Sequence, residues 1–189
     1  MREVVSDLDR LREVALDQHG FVRTSQALDA EVSEASLGML ARRGRLERVA
    51  RGLYRVPQVP ATRFDPYMKA VLWTGFPEAC LSHDSALDAW EISDINPDLV
   101  HVTVGSGRRI RRRAAPAGYA IHRQDLAPEQ VTWWESIPTA TPATAIAQCL
   151  ETGVPTYLIR QALERAGRTG LVRAPDLERL TRLMGDRYA

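Results

Sequence analysis

The chain is almost without lysine: Lys69 is the only one among 25 basic residues, so arginine carries nearly all of its positive charge. It also lacks a charge excess, because 24 acidic residues leave a formal net charge of +1, and any pull on an anionic partner must come from local clustering. Cysteine is scarce. Cys80 and Cys149 lie far apart among apolar neighbours, which excludes a disulfide scaffold and fits buried thiols in a reducing compartment. No apolar run reaches membrane-spanning length, and the N-terminal MREVVSDLDRL is amphipathic with no apolar signal core. A cytoplasmic protein without membrane contact is expected. Internal repeats are missing too, and GSGRR lacks the spacing, the lysine and the following helix of a phosphate-binding loop. What is present, 189 residues that are 44% hydrophobic and 26% charged, suffices for one or two ordinary globular domains.

The first third of the chain has a pattern of its own. Apolar residues at Val4, Val5, Leu8, Leu11, Val14, Ala15 and Leu16 form a helical stripe that Gly20 stops. Thr24 is placed to cap a short second helix through Leu28. After the turn Asp29-Ala30-Glu31, Ser33 can cap a third helix, with Val32, Leu37, Leu40 and Ala41 inward and Ala35, Met39 and Arg42 outward. Gly44 ends it. Leu46–Val49 and Leu53–Val56 then read as two strands around Arg51-Gly52, and Pro57 closes the unit. Three helices followed by an arginine-rich hairpin describe a winged helix-turn-helix. Ser33, Ser36, Met39, Arg42 and Arg43 would enter a major groove, although Glu34 opposes phosphate there. Arg45, Arg48, Arg51 and Arg55 would decorate the wing and meet phosphates. Such modules also serve as protein-interaction scaffolds, so a non-DNA role stays open.

Pro57, Pro60 and Pro66 punctuate a segment with no helical or strand period, so residues 58–66 read as a stiff connector between a domain of residues 1–57 and a second of 67–189. In the second, helices are expected around Met68–Trp73, from Ser82 or His83 to Trp90, from Thr141-Pro142 to Leu150, and near Tyr157–Ala166 and Pro175–Met184. LVHVTV, YAIHR and QVTWW are strand candidates. The fold class is therefore α+β: an N-terminal winged helix-turn-helix followed by a small mixed α/β domain with a C-terminal helical segment.

Between two of those strands stand Arg108, Arg109, Arg111, Arg112 and Arg113. Mutual repulsion should expose them to an anionic partner, either nucleic acid or an acidic protein face, the plain alternative being a solvated hairpin tip.

No catalytic set emerges, and the expectation is not an enzyme. Ser82, His83 and Asp84 are consecutive, and side chains on a helix point about 100° apart, which forbids a triad relay. Cys80 and His83 have a zinc-like spacing but no second pair close in sequence, so no metal and no cofactor are expected. Pro97-Asp98 resembles the start of a metal-dependent nuclease motif, yet HVTV supplies neither the carboxylate nor the lysine that would complete it.

The run GFVRTSQALDAEVSEASLGMLARRGRLERVARGLYRVP resembles the winged helix of AbiEi-type antitoxins, and LSHDSALDAWEISDINPDLVHVTVGSGRRIRRR with SIPTATPATAIAQCL looks like the domain that follows it in many actinobacterial members. Many members carry glycine in the turn where this chain has Ala30-Glu31, which puts the turn geometry at issue. The resemblance implies a regulator that binds promoter DNA of its own operon and takes part in countering an AbiEii-like nucleotidyltransferase toxin, with direct contact left open. The alternative from a different class is an interaction module that masks a partner enzyme without touching DNA.

Overall fold

The structure, a computed structural model, describes residues 5–110 and 118–186, and the chain divides into two compact units, Met1–Trp73 and Thr74–Ala189. In the first, α1 (Asp7–Leu16) starts later than its apolar stripe suggests. Ser6 and Asp9 form a capping box there, the Ser6 Oγ accepting the Asp9 amide at 3.2 Å, and so fix the helix start. The order continues with β1 (Phe21–Arg23), α2 (Thr24–Asp29), α3 (Glu34–Arg42), β2 (Glu47–Ala50), β3 (Leu53–Arg55) and α4 (Asp65–Thr74). The strands form an antiparallel sheet in the order β1-β3-β2. Leu11, Ala15, Val22, Ala27, Val32, Leu37, Leu46 and Val56 make the apolar core of the unit, and Gln18 is its buried polar residue among those described. The cap of α2 is Arg23 rather than Thr24, since β1 runs directly into the helix and the Gln26 side chain accepts the Arg23 amide at 3.0 Å.

The expected connector belongs to this unit. Val59 is buried in its core, the Arg55 guanidinium donates to the Val59 carbonyl at 3.1 Å and reaches Asp65 at 3.4 Å, and Thr62 meets His19 at 3.1 Å. These ties draw the proline segment and α4, expected with the second domain, into the first unit.

The second unit holds a five-stranded mixed sheet, β6-β5-β4-β8-β7, built from β4 (Cys80–Leu81), β5 (Val100–Val104), β6 (Tyr119–Arg123), β7 (Val131–Trp134) and β8 (Ile137–Ala140). Strand β4 runs antiparallel to β5 and parallel to β8, and β5 runs parallel to β6. Helix α5 (His83–Ala89) connects β4 toward β5, and α6 (Pro142–Thr152), α7 (Thr156–Arg168) and α8 (Ala174–Asp186) complete the unit. Helix α6 begins as the sequence indicates, with the Thr141 hydroxyl accepting the Thr144 amide and Pro142 in the first turn. Leu87, Ile146, Ile159, Ala162 and Leu180 lie at the centre of its apolar cluster. Cys80 and Cys149 are free and buried. No described helix is long and apolar enough to cross a membrane.

Candidate nucleic-acid interface

Helix α3 turns one side into the core and the other outward. Leu37 is fully buried and Leu40 and Ala41 pack against the core, while Ala35, Met39, Arg42 and Arg43 are exposed. Ser33 caps the helix, its Oγ accepting the Ser36 amide at 3.1 Å, which leaves the Ser33 hydroxyl proton to donate outward. Ser36 is half-buried on the same side. Arg45 follows the helix end, Arg48 stands on β2 and Arg51 at the hairpin tip, all three exposed. A row of guanidinium groups thus runs from the end of α3 along the wing, without acidic partners among the ion pairs of the described residues.

Two features hold this surface in shape. Gly52 takes φ +72°, which the tight tip requires, and its carbonyl accepts the Thr24 amide at 3.0 Å, so the wing is bonded to the start of α2. In the turn before α3, Glu31 adopts φ +62°, the left-handed conformation that glycine fills more readily, and its carboxylate pairs with Arg10 at 2.9 Å. Ala30-Glu31 therefore forms the turn without glycine.

Arg55 does not belong to the wing surface as expected. Only 14% of its side chain is exposed, because it is engaged with Val59 and Asp65 and lies 6.0 Å from the Phe21 ring. The arginine cluster of the second unit is likewise divided. Arg108 is half-buried, donates to the Thr74 carbonyl at 3.3 Å, and its guanidinium lies where a Cβ on Gly75 would stand, 2.9 Å away, so it supports the fold. Arg109 is exposed. Arg111, Arg112 and Arg113 lie outside the described residues.

Ser82 and His83 are closer partners than their adjacency on a helix would allow. Ser82 precedes α5 in extended backbone and His83 takes φ +50°, so the two are not consecutive helical positions and the Ser82 Oγ lies 3.0 Å from His83 Nδ1. Ser82 is nonetheless fully buried, which withholds it from any substrate.

The larger surprise is the company His83 keeps. His101 on β5 and His122 on β6 join it, so three of the four histidines of the chain meet. The His83 and His122 rings stack at 3.6 Å, and His101 Nδ1 faces His122 Nε2 at 3.2 Å. Burial, with His122 and His101 beside it, pushes His83 down to about 3, and burial also lowers both neighbours, Asp84 opposing the effect. Only the alternation in VHVTV and YAIHR hints at this, by allowing His101 and His122 one face of neighbouring strands. The pairing that unites them is not readable from the chain.

The first unit is thus a winged helix-turn-helix with a cationic outer surface. Residues 9–57 match the family model described as a transcriptional regulator, AbiEi antitoxin, and the likeness is confined to that segment. The whole chain resembles the crystal structure of the RV2827C protein from Mycobacterium tuberculosis, with a TM-score of 0.58 over 99% of this chain and 76% of that one. At 16% identity the likeness shows the fold alone. No curated protein matches the chain.

Proposed function

We propose that this protein is a cytoplasmic antitoxin that represses its own operon by binding promoter DNA and neutralises a cognate nucleotidyltransferase toxin of the AbiEii kind. The family-model match over the winged helix supports the regulatory reading. The observation that carries DNA binding is the row of exposed arginines, Arg42, Arg43, Arg45, Arg48 and Arg51, beside the outward side of α3. Guanidinium groups there meet phosphates, while Ser33, Ser36 and Met39 face base edges.

Binding to the upstream region of the gene, measured across a salt series, tests the reading. Each phosphate contact adds about 0.9 to the salt slope, so Arg45→Ala with Arg51→Ala should flatten it by about 2 and weaken all DNA alike. Replacing Ser33, Ser36 and Met39 should instead reduce the preference for operator over random DNA. An unchanged slope in the arginine variant would refute the interface. For the toxin, Arg109, Arg111, Arg112 and Arg113 are changed to serine and growth is followed during co-expression. Lost neutralisation with operator binding intact assigns those arginines to the toxin; lost operator affinity with neutralisation intact assigns them to DNA.

A further inference from the structure

We propose that His83, His101 and His122 form a binding site for one divalent transition-metal ion of the zinc class in the second unit. One ring nitrogen from each residue lies within 4.8 Å of the others. Tetrahedral zinc holds nitrogen ligands at about 2.0–2.1 Å, which sets them about 3.4 Å apart, so binding requires the stacked His83 and His122 rings to turn until their nitrogens converge on the ion.

The donors come from different parts of the fold. His83 opens α5, whereas His101 and His122 stand on β5 and β6, where the register pairs His101 with Ala120 and Thr103 with His122 and so puts the two histidines on one face. Ser82 Oγ sits 3.0 Å from His83 Nδ1, the kind of outer partner that orients metal-bound imidazoles, and the other ring nitrogen remains available to ligate. His101 Nδ1 and His122 Nε2 stand 3.2 Å apart, a spacing that accepts one proton or one shared cation but not two protonated rings.

The surroundings are built rather than incidental. The His83 amide donates to the Gln148 Oε1 at 3.3 Å, and the Gln148 amide group donates to Gln124 at 2.8 Å and Thr103 at 3.4 Å. His83 takes φ +50°, in the left-handed region that few non-glycine residues adopt. His101 and His122 are only half-buried and β6 is an edge strand, which leaves a route from solvent. Asp84, whose charge acts on both His101 and His122, offsets that of a dication. The donors are imidazole nitrogens, which suit zinc, copper, nickel or cobalt rather than calcium or magnesium.

The full chain, freed of any histidine tag and treated with chelator, is titrated with Zn²⁺ by calorimetry and with Co²⁺ by visible absorption, with Mg²⁺ as the contrasting ion. The expected result is one Zn²⁺ per chain, a cobalt spectrum of nitrogen ligation and no response to Mg²⁺. His101→Gln and His122→Gln, shown folded by circular dichroism, should each lower Zn²⁺ affinity by more than the roughly 10–100-fold that loss of an outer partner costs. His19→Gln, in the other unit, should bind as the parent does. Because His83→Gln strikes a buried position and could unfold the chain, the two strand variants are the decisive ones. Absence of binding at micromolar Zn²⁺, or unchanged affinity in both strand variants, overturns the proposal. Operator binding by the winged helix is read separately, so neither result depends on the other.

Discussion

The two units treat their polar groups in opposite ways. The first encloses an apolar core and sets Arg42, Arg43, Arg45, Arg48 and Arg51 on the outside, where each is exposed and replaceable, Arg55 being the exception that is drawn inward. The second takes Ser82, His83, Thr103 and Gln148 into its interior, where each must find a partner. Outward chemistry leaves the fold free to vary its message, whereas inward chemistry makes message and fold interdependent.

The strongest test of the contrast lies in the first unit. Leu37→Ala should destabilise by about 2–5 kcal/mol through the cavity it leaves, while Arg45→Ala and Arg51→Ala should each stay within about 0.5 kcal/mol. Denaturant unfolding followed by circular dichroism measures both. A large stability loss from either arginine would break the distinction, since it would make the wing cations part of the core's support.

An intermediate effect is expected inside the second unit. Gln148→Leu keeps the bulk but removes the acceptor of the His83 amide, leaving a buried donor unpaired, and should cost about 1–3 kcal/mol. The same unfolding measurement, with hydrogen exchange at the His83 amide, checks it. A neutral outcome would mean that the polar interior is dispensable and the two units are built alike.

The smallest effect concerns the turn. Glu31→Gly relieves a left-handed side-chain position but adds unfolded-state freedom and removes an exposed pair with Arg10, so stability should change by no more than about 1 kcal/mol. Thermal unfolding decides it. A larger loss would show the turn to depend on the Glu31 side chain itself.

Legibility follows the same division. Short-range signals define the first unit: Ser33 before α3, the period through Leu37 and Leu40, and glycine at the hairpin tip. Arg55 reads wrongly as a wing residue because its partners, Val59 and Asp65, both lie within the proline segment that looks like a connector. In the second unit Thr141-Pro142 announces α6 by local rules, but β8 is hidden by Pro138, a residue that argues against a strand, and β4 by its two-residue length. The histidine cluster is hidden for a deeper reason. His83 lies on a helix start and His101 and His122 on separate strands, so their meeting depends on sheet order, which spacing along the chain does not encode.

The bond from the Thr24 amide to the Gly52 carbonyl, 3.0 Å long, ties the hairpin tip to the start of α2, and were that tie to hold on DNA, hairpin and helices would act like the two jaws of a caliper locked at a single opening. A locked gauge does not adapt to what it measures. On DNA, the distance between the Arg51 tip and the Met39 side of α3 would be a constant, and any mismatch in groove width would be taken up by the duplex. Sequences that deform easily between those two contacts would then be favoured at base pairs the protein never touches.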